Sequence, residues 1–343
     1  MVFLYLSCIR APFGLGFIES MSMEITGSPL IALPEGVRTA VTVGTFDGLH
    51  LGHLRILEKL LEVAQRRGLR SLVVTFDPHP RHILQPRKKL KLLTTMGKKL
   101  SLLAEIGVEY VALVKFTRAM SQMEPTRFVL DYLLERFRMT ALVMGHDHAF
   151  GRNRFGDQKL VSELSSGHGF SLYKVPPVIV DGQPVSSSRV RRVLEKGNMP
   201  AAGRLLGRYY SFNGRVVVGA GRGAQLGHPT ANLMPTSSDE QLFPDGIYAA
   251  AVDLNGRTLP GVLHHGPRPT FNDDSKTLEI NLFDFSGDLY ERTLEVFVLE
   301  RIRPIADFDT PRALVRQMDL DDSAVKKVFE KIHNPTLFLS RAV

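Results

Sequence analysis

The sequence predicts two folds in series: an α/β domain, in which a parallel sheet lies between flanking helices, followed by an antiparallel sheet or small β-barrel with C-terminal helices. Three observations lead there. From Arg38 onward, short apolar runs alternate with stretches of helical period. Near residue 200 the period changes, and strand-like runs follow one another with turn signals between them. A chain of 343 residues is also too long for one ordinary core and suits two domains.

The elements follow in order. Ala40–Gly44 reads as a buried strand. Leu51–Arg67 repeats apolar residues at helical spacing (Leu54, Leu57, Leu60, Leu61, Ala64) and stops at Gly68. Strands are expected at Ser71–Phe76, Tyr110–Val114 and Thr140–Gly145, with helices near Lys98–Ile106 and over Glu124–Phe137, where Pro125 suits the first turn. Strands alternating with helices imply a parallel sheet, whose sites lie beyond the C-terminal ends of its strands. Gly44, Phe76-Asp77 and Gly145 each end a strand and are expected to line one crevice. A helix at Ser188–Lys196 and the segment Pro200–Leu206 come next. Strands then follow at Gly214–Gly219, Gly246–Leu254, Gly261–His265, Leu278–Phe285 and Thr293–Leu299. Asn255-Gly256 and Ser286-Gly287-Asp288 read as hairpin turns, and Pro311–Met318 and Ser323–Ile332 as a helical tail. The domains are expected at residues 23–195 and 200–343. Residues 1–22, apolar and punctuated by glycine and proline, read as a disordered or overlong N-terminus rather than a signal peptide.

Composition narrows the classes. Hydrophobic residues make up 44% and charged residues 23%, as in globular proteins, and no run approaches the ~20 apolar residues of a membrane helix. The single cysteine, Cys8, leaves no disulfide framework and fits the cytoplasm. The net charge of +8 fits either nucleic acid or several anionic phosphates. Only one basic run is tight, Arg87-Lys88-Lys89-Leu90-Lys91, and it reads as a solvated loop. Basic and aromatic residues do not interleave, so small molecules rather than nucleic acid or membranes are the expected partners, for a monomer or weak homo-oligomer.

Residues 41–53, Val-Thr-Val-Gly-Thr-Phe-Asp-Gly-Leu-His-Leu-Gly-His, carry the strongest motif. A strand ends in Gly44, a turn holds Gly48, and His50 and His53 open a helix. Two imidazoles beside a helix N-terminus suit a polyphosphate, and there is no P-loop lysine motif. A metal site would need a third ligand at metal spacing, and none is evident. Ser186-Ser187-Ser188-Arg189-Val190-Arg191 offers hydroxyls and amides at a second helix start, with Arg191 on the same face as Ser187 and Ser188.

Together Gly44–His53, Phe76-Asp-Pro-His-Pro80, Gly145-His-Asp-His-Ala-Phe-Gly151 with Gly156-Asp157, and Ser186–Arg191 resemble the Rossmann-like nucleotidyltransferase module of the bacterial bifunctional riboflavin kinase/FAD synthetase family. The resemblance implies FMN adenylyltransfer from ATP. His50 and His53 would act on the phosphates. Gly44, Phe46, Asp47, Gly52, Asp147, Ser187, Ser188 and Arg191 would bind ATP, and Asp77, Pro78, His79 and Pro80 would lie on the flavin side. Ser188 stands where a threonine is frequent. The chemistry is consistent: a phosphate acceptor is already anionic and needs charge stabilisation, not a general base.

The second constellation is Gly219-Ala-Gly-Arg-Gly-Ala-Gln-Leu-Gly-His-Pro-Thr-Ala-Asn232. Thr230 and Asn232 both offer oxygen to a hard cation. In Leu278-Glu279-Ile280-Asn281-Leu282 the alternation puts Glu279 and Asn281 on one face, opposite three aliphatic residues. With Leu206-Gly207-Arg208, Asp245-Gly-Ile-Tyr248 and Arg268-Pro-Thr-Phe271, these segments resemble the riboflavin kinase module of the same family, a small antiparallel barrel. The resemblance implies Mg²⁺ at Thr230 and Asn232, ATP along Gly219, Gly221, Gly223 and Gly227, Arg268 on the flavin side, and Glu279 as base on the ribityl hydroxyl. Riboflavin, FMN and FAD would be substrates and products. Three residues depart from the pattern: His264-His265 for a common Asn-Ile, Glu291 for a glycine, and His228 for an aromatic residue. An adenylyltransferase with another acceptor would lack FMN formation, and a nucleic-acid binder would show salt-dependent affinity without flavin turnover.

Overall fold

The computed structural model describes residues 2–8, 20–25, 33–146, 151, 156–219, 227–254, 256–268 and 273–332. The chain divides into two compact units, one running through Lys91 and over Met96–Val185, the other comprising Leu92–Thr95 and the chain from Ser186 onward.

The first unit is built on a seven-stranded sheet in the order β2-β1-β5-β4-β3-β6-β7. Its strands are β1 (Val2–Cys8), β2 (Ser20–Ile25), β3 (Thr39–Val43), β4 (Arg70–Asp77), β5 (Tyr110–Lys115), β6 (Met139–Gly145) and β7 (Ser171–Val175). β3 to β7 are mutually parallel. β1 and β2 pair antiparallel, and β1 continues onto β5. This ladder lies where the sequence suggested an overhang. Without β1 the outer edge of β5 would present unpaired N–H and C=O groups, and such an edge accepts an added strand.

All five residues of β3 are buried, as expected of a strand covered on both faces. On one side Val41, Leu72, Val74 and Leu142 pack with Phe128, Val129, Leu133 and Phe137. On the other Ala40, Val73, Val111 and Val143 meet Leu57, Leu60 and Leu103. Leu57 and Leu60 belong to α1 (Leu51–Arg67), which ends on Gly68 at φ 61°, where the glycine N–H reaches Ala64 O and Gln65 O. Short helices α2 (Pro80–Leu84), α4 (Arg118–Ser121) and α5 (Pro125–Arg127) flank the longer α3 (Met96–Ile106) and α6 (Gln158–His168). The helix expected over Glu124–Phe137 widens to a π-helix over Phe128–Arg136. Its core residues Val129 and Leu133, with Phe137 at its C-cap, recur every fourth position, and the wider winding keeps them on one face. Strand order reverses between β3 and β6, so the crevice of this sheet opens beyond Val43 and Gly145, as the alternation predicted.

In the second unit, α7 (Ser187–Glu195) packs on α8 (Met199–Leu206), which in turn packs on β10 (Tyr210–Val217) and β15 (Thr293–Arg303). The sequence grouped α7 with the first domain. With β11 (Ala231–Pro235), β12 (Gly246–Leu254), β13 (Arg257–Arg268) and β14 (Asp273–Leu282), these strands close an antiparallel barrel in the order β10-β11-β14-β13-β12-β15. (β8, Ile179–Val180, and β9, Gln183–Pro184, form a small ribbon in the first unit.) β12 and β13 pair around Gly256, as the Asn255-Gly256 signal predicted. Ser286-Gly287-Asp288 is not a hairpin: β14 pairs with β11 and β13, and β15 with β10 and β12, so this connection crosses to a non-adjacent strand. Polar turn residues mark a chain reversal but do not choose the partner.

The C-terminal tail is one helix, Pro311–Glu330, where the sequence suggested two. Val325 packs with Ala249, Ala251, Phe297 and Leu299. Arg303 closes a bidentate pair with Asp321, which is 3% exposed, at 2.7 Å between Nη2 and Oδ2. His265, where isoleucine is common, is absorbed as a core imidazole: it is buried, meets the Phe243 ring at 5.2 Å, and burial lowers its pKa.

Two outcomes follow from these cores. Arg303→Ala leaves a buried carboxylate uncompensated and should destabilise the second unit by ~3–5 kcal/mol, read by denaturant unfolding. The folded state favours neutral His265, so its contribution is intact above the unfolded imidazole pKa of ~6.5 and is lost as pH falls through that value toward the lower folded one. His265→Ile should flatten the corresponding fall in Tm across that window.

Candidate active sites

In the first unit the reactive groups sit where β3 stops. His50 is the N-cap of α1, and its Nδ1 accepts from the His53 N–H at 3.4 Å. A ring nitrogen that accepts carries no proton, so Nε2 is the donor of this imidazole. The His50 and His53 rings stack at 3.7 Å between centroids and 15° between planes, and His53 meets the Phe46 ring edge-on at 5.2 Å. Phe46 and Leu49 hold φ of 46° and 39°, a left-handed conformation that bulky residues adopt only under constraint, and both are buried. Gly52 is small for a stated reason: a Cβ there would stand 3.2 Å from the His50 ring. The Gly44 N–H is bound to Val74 O at 2.9 Å, which fixes the end of β3 against β4.

β4 ends at Asp77, whose carbonyl accepts from the Phe116 N–H at 3.0 Å, and His79 caps α2 by accepting from the Arg81 N–H at 3.1 Å. Pro78 and Pro80 flank that cap, and the Asp77–Pro78 peptide is cis. β6 ends at Gly145, where Gln158 Nε2 donates to Gly145 O at 3.1 Å and to His146 O at 3.2 Å. The strand ends carrying Gly44, Asp77 and Gly145 thus lie along one edge of the sheet. Asp47 is 1% exposed there. Lys99, on α3, is buried; burial lowers its pKa, and the carboxylates of Asp47 and Asp77 oppose that shift. A lysine inside the apolar set of α3 was the one available sequence signal for it.

Ser186 caps α7, its hydroxyl accepting from the Arg189 N–H at 3.3 Å. Ser187 and Ser188 occupy its first turn, and Arg191 is buried on the face it shares with Val190 and Leu194. These residues fall in the second unit. Asp147 lies outside the described residues.

In the barrel, β14 alternates as expected: Leu278, Ile280 and Leu282 are buried, and Thr277, Glu279 and Asn281 share the opposite face. β11 is paired so that Asn232 lies opposite Glu279. Thr230 Oγ1 donates to Glu279 Oε2 at 3.0 Å, Thr277 Oγ1 lies 3.2 Å from Oε1, and Asn281 Nδ2 donates to Pro229 O at 2.6 Å. A Cβ on Gly219 would overlap the Asn232 side-chain amide. Gly227 adopts φ 83°. Gly221 and Gly223 lie outside the described residues, and of Arg268 only the backbone, at the end of β13, is described. His264 is the cross-strand neighbour of Glu279 on β13. His228 bridges two carboxylates of the C-terminal helix, Asp319 at 3.6 Å and Asp322 at 3.5 Å, a role an aromatic residue could not fill.

Comparisons with known proteins match both parts of the chain. The sequence matches the FAD synthetase family over residues 34–189 and the riboflavin kinase family over 206–329. A bifunctional riboflavin kinase/FMN adenylyltransferase of Escherichia coli (strain K12) is 34% identical over 291 residues, 84% of this chain and 92% of that one. The chain belongs to the bifunctional riboflavin kinase/FMN adenylyltransferase family. A member from Listeria monocytogenes is 31% identical over 301 residues, 87% of this chain and 95% of the relative. A Streptococcus pneumoniae crystal structure, described as a macrolide-efflux protein, shares the fold at a TM-score of 0.77 and 29% identity over 87% of this chain and 96% of that one. Among the described residues no helix of the present chain is long and apolar enough to cross a membrane. The chain is a transferase with two activities, phosphorylation of riboflavin and adenylylation of FMN.

Thr277 and Lys99 were missed by sequence reasoning. A threonine two residues before a carboxylate on a strand is commonplace, and only the pairing with β13 and β11 shows what it faces. Gly219→Ala tests the close approach to Asn232: it should lower riboflavin phosphorylation ~10²-fold, as a displacement of about 1 Å can, and leave FMN adenylylation at the parental rate.

Proposed function

We propose that each unit is matched to the acceptor it serves, and that the hydrogen-bonded group of Thr230, Glu279 and Asn232 is the observation that carries this reading. Riboflavin offers a neutral ribityl hydroxyl. Glu279 takes its proton as the oxygen attacks the γ-phosphorus of ATP, the bond to the β-phosphate oxygen breaks, and ADP leaves. Thr230 and Asn232 present hard oxygen donors beside a carboxylate, a set that suits Mg²⁺. When bound, the ion would neutralise charge on the ATP phosphates. The Thr230 hydroxyl donates its proton to Glu279, so its oxygen lone pairs would be the part offered to such a cation. Gly219 and Gly227 give the backbone room to follow the phosphates, Gly221 and Gly223 are assigned to ATP with them, and Arg268 is assigned to the flavin side.

FMN offers a phosphate. Its oxygen attacks the α-phosphorus of a second ATP, the α–β bond breaks, and pyrophosphate leaves without a general base. His50, His53 and the N-terminus of α1 stabilise the charge that develops, with Gly44, Phe46, Asp47 and Gly52 shaping the turn that aims them. Ser187, Ser188, Arg191 and Asp147 are assigned to ATP, and Asp77, Pro78, His79 and Pro80 to the flavin. The single cysteine supports a cytoplasmic setting and the dispersed basic residues support small molecules rather than nucleic acid as partners, and the chain is assigned as a monomer or weak homo-oligomer.

The two activities should separate by mutation. Glu279→Ala should lower FMN formation by ~10²–10⁴-fold and make FAD from supplied FMN at the parental rate. His53→Ala should lower FAD formation by ~10²-fold or more and spare FMN formation. Chromatography of riboflavin, FMN and FAD reads both. FMN formation at the parental rate in Glu279→Ala removes the base assignment.

A further inference from the structure

Glu279 is held by two hydroxyls. Thr230 serves Oε2, and Thr277 stands at 3.2 Å from Oε1. Thr277 precedes Glu279 by two residues on β14, so alternation brings both side chains to one face. The same Thr277 oxygen lies 3.2 Å from the carbonyl of Gly266, its register partner on β13. A hydroxyl has one proton and two lone pairs, so it donates to one of these acceptors at a time. A carboxylate is a stronger acceptor than an amide carbonyl, so the Thr277 proton goes to Oε1.

We propose that Thr277 is a positioning residue for the phosphorylation of riboflavin, orienting the Glu279 carboxylate through its hydrogen bond to Oε1. This rests on Glu279 being the base. The bond balance of the reaction is unchanged: the O–P bond forms, the bond to ADP breaks, and the proton passes to Glu279 and then to water. Asn281 completes the arrangement from the same strand. It holds Pro229 O at 2.6 Å and thereby keeps the segment carrying Thr230 against β14.

The test uses the full chain and compares Thr277→Val, Thr277→Ser and Glu279→Gln, singly and combined. Thr277→Val should lower kcat for riboflavin phosphorylation about 10- to 100-fold, the range of one hydrogen bond to a charged group. KM, riboflavin affinity measured by quenching of its fluorescence, and FMN adenylylation should stay within about twofold. Thr277→Ser should recover most of the rate. In the Glu279→Gln background, adding Thr277→Val should cost nothing further. Parental kcat in Thr277→Val, with Glu279→Gln inactive, overturns the role of Thr277 alone. Parental kcat in Glu279→Gln overturns the base assignment and this inference with it. A loss of riboflavin affinity equal to the loss of kcat, not recovered by serine, would assign Thr277 to strand pairing and overturn its positioning role.

Discussion

A barrel that closes on itself leaves each strand residue one choice, inside or outside, and the chemistry proposed for Glu279 depends on that constraint. Because β14 is paired on both edges, by β11 and β13, its register has no slack. Leu278, Ile280 and Leu282 are buried, which obliges Thr277, Glu279 and Asn281 to project the other way. The pairing with β11 then sets Asn232 opposite Glu279, and the pairing with β13 sets His264 there from the other side. A carboxylate in this row is accessible because its neighbours in sequence are not.

The first unit reaches the same end by termination rather than alternation. Its parallel strands are buried on both faces and offer no side chains to a substrate along their length, so the polar groups gather where the strands stop. His50 and His53 are aimed there by a turn that contains two buried residues in left-handed conformation, Phe46 and Leu49. That strain is tolerated because Phe46 packs on His53 and both residues lie in the core under α1.

Local patterns in the sequence were read well where one residue type has one physical meaning. The leucine spacing of α1 and its stop at Gly68, the alternation of β14 and the chain reversal at Gly256 all correspond to observed geometry. Partner choice was less legible. β11, Ala-Asn-Leu-Met-Pro, has too little β-branched or aromatic content to read as a strand, yet it carries Asn232. Ser286–Asp288 announces a reversal but not its destination. The grouping of α7 with the barrel is set by packing on α8, and Lys99 is seen to be buried only once α3 is docked. Tertiary context decides each of these, and no window of local sequence contains it.

The four residues Leu92–Thr95 belong to the second unit although the first unit surrounds them in sequence. The Leu92 N–H donates to Asp239 O at 2.6 Å, and its carbonyl accepts from the Gln241 N–H at 2.7 Å. On a ribosome Leu92 emerges long before either partner exists. Until then its backbone groups are left to water. The molecule thus carries one backbone bridge residue without its partner until Asp239 and Gln241 are made. Its last backbone bonds at Leu92 are made only when the barrel arrives.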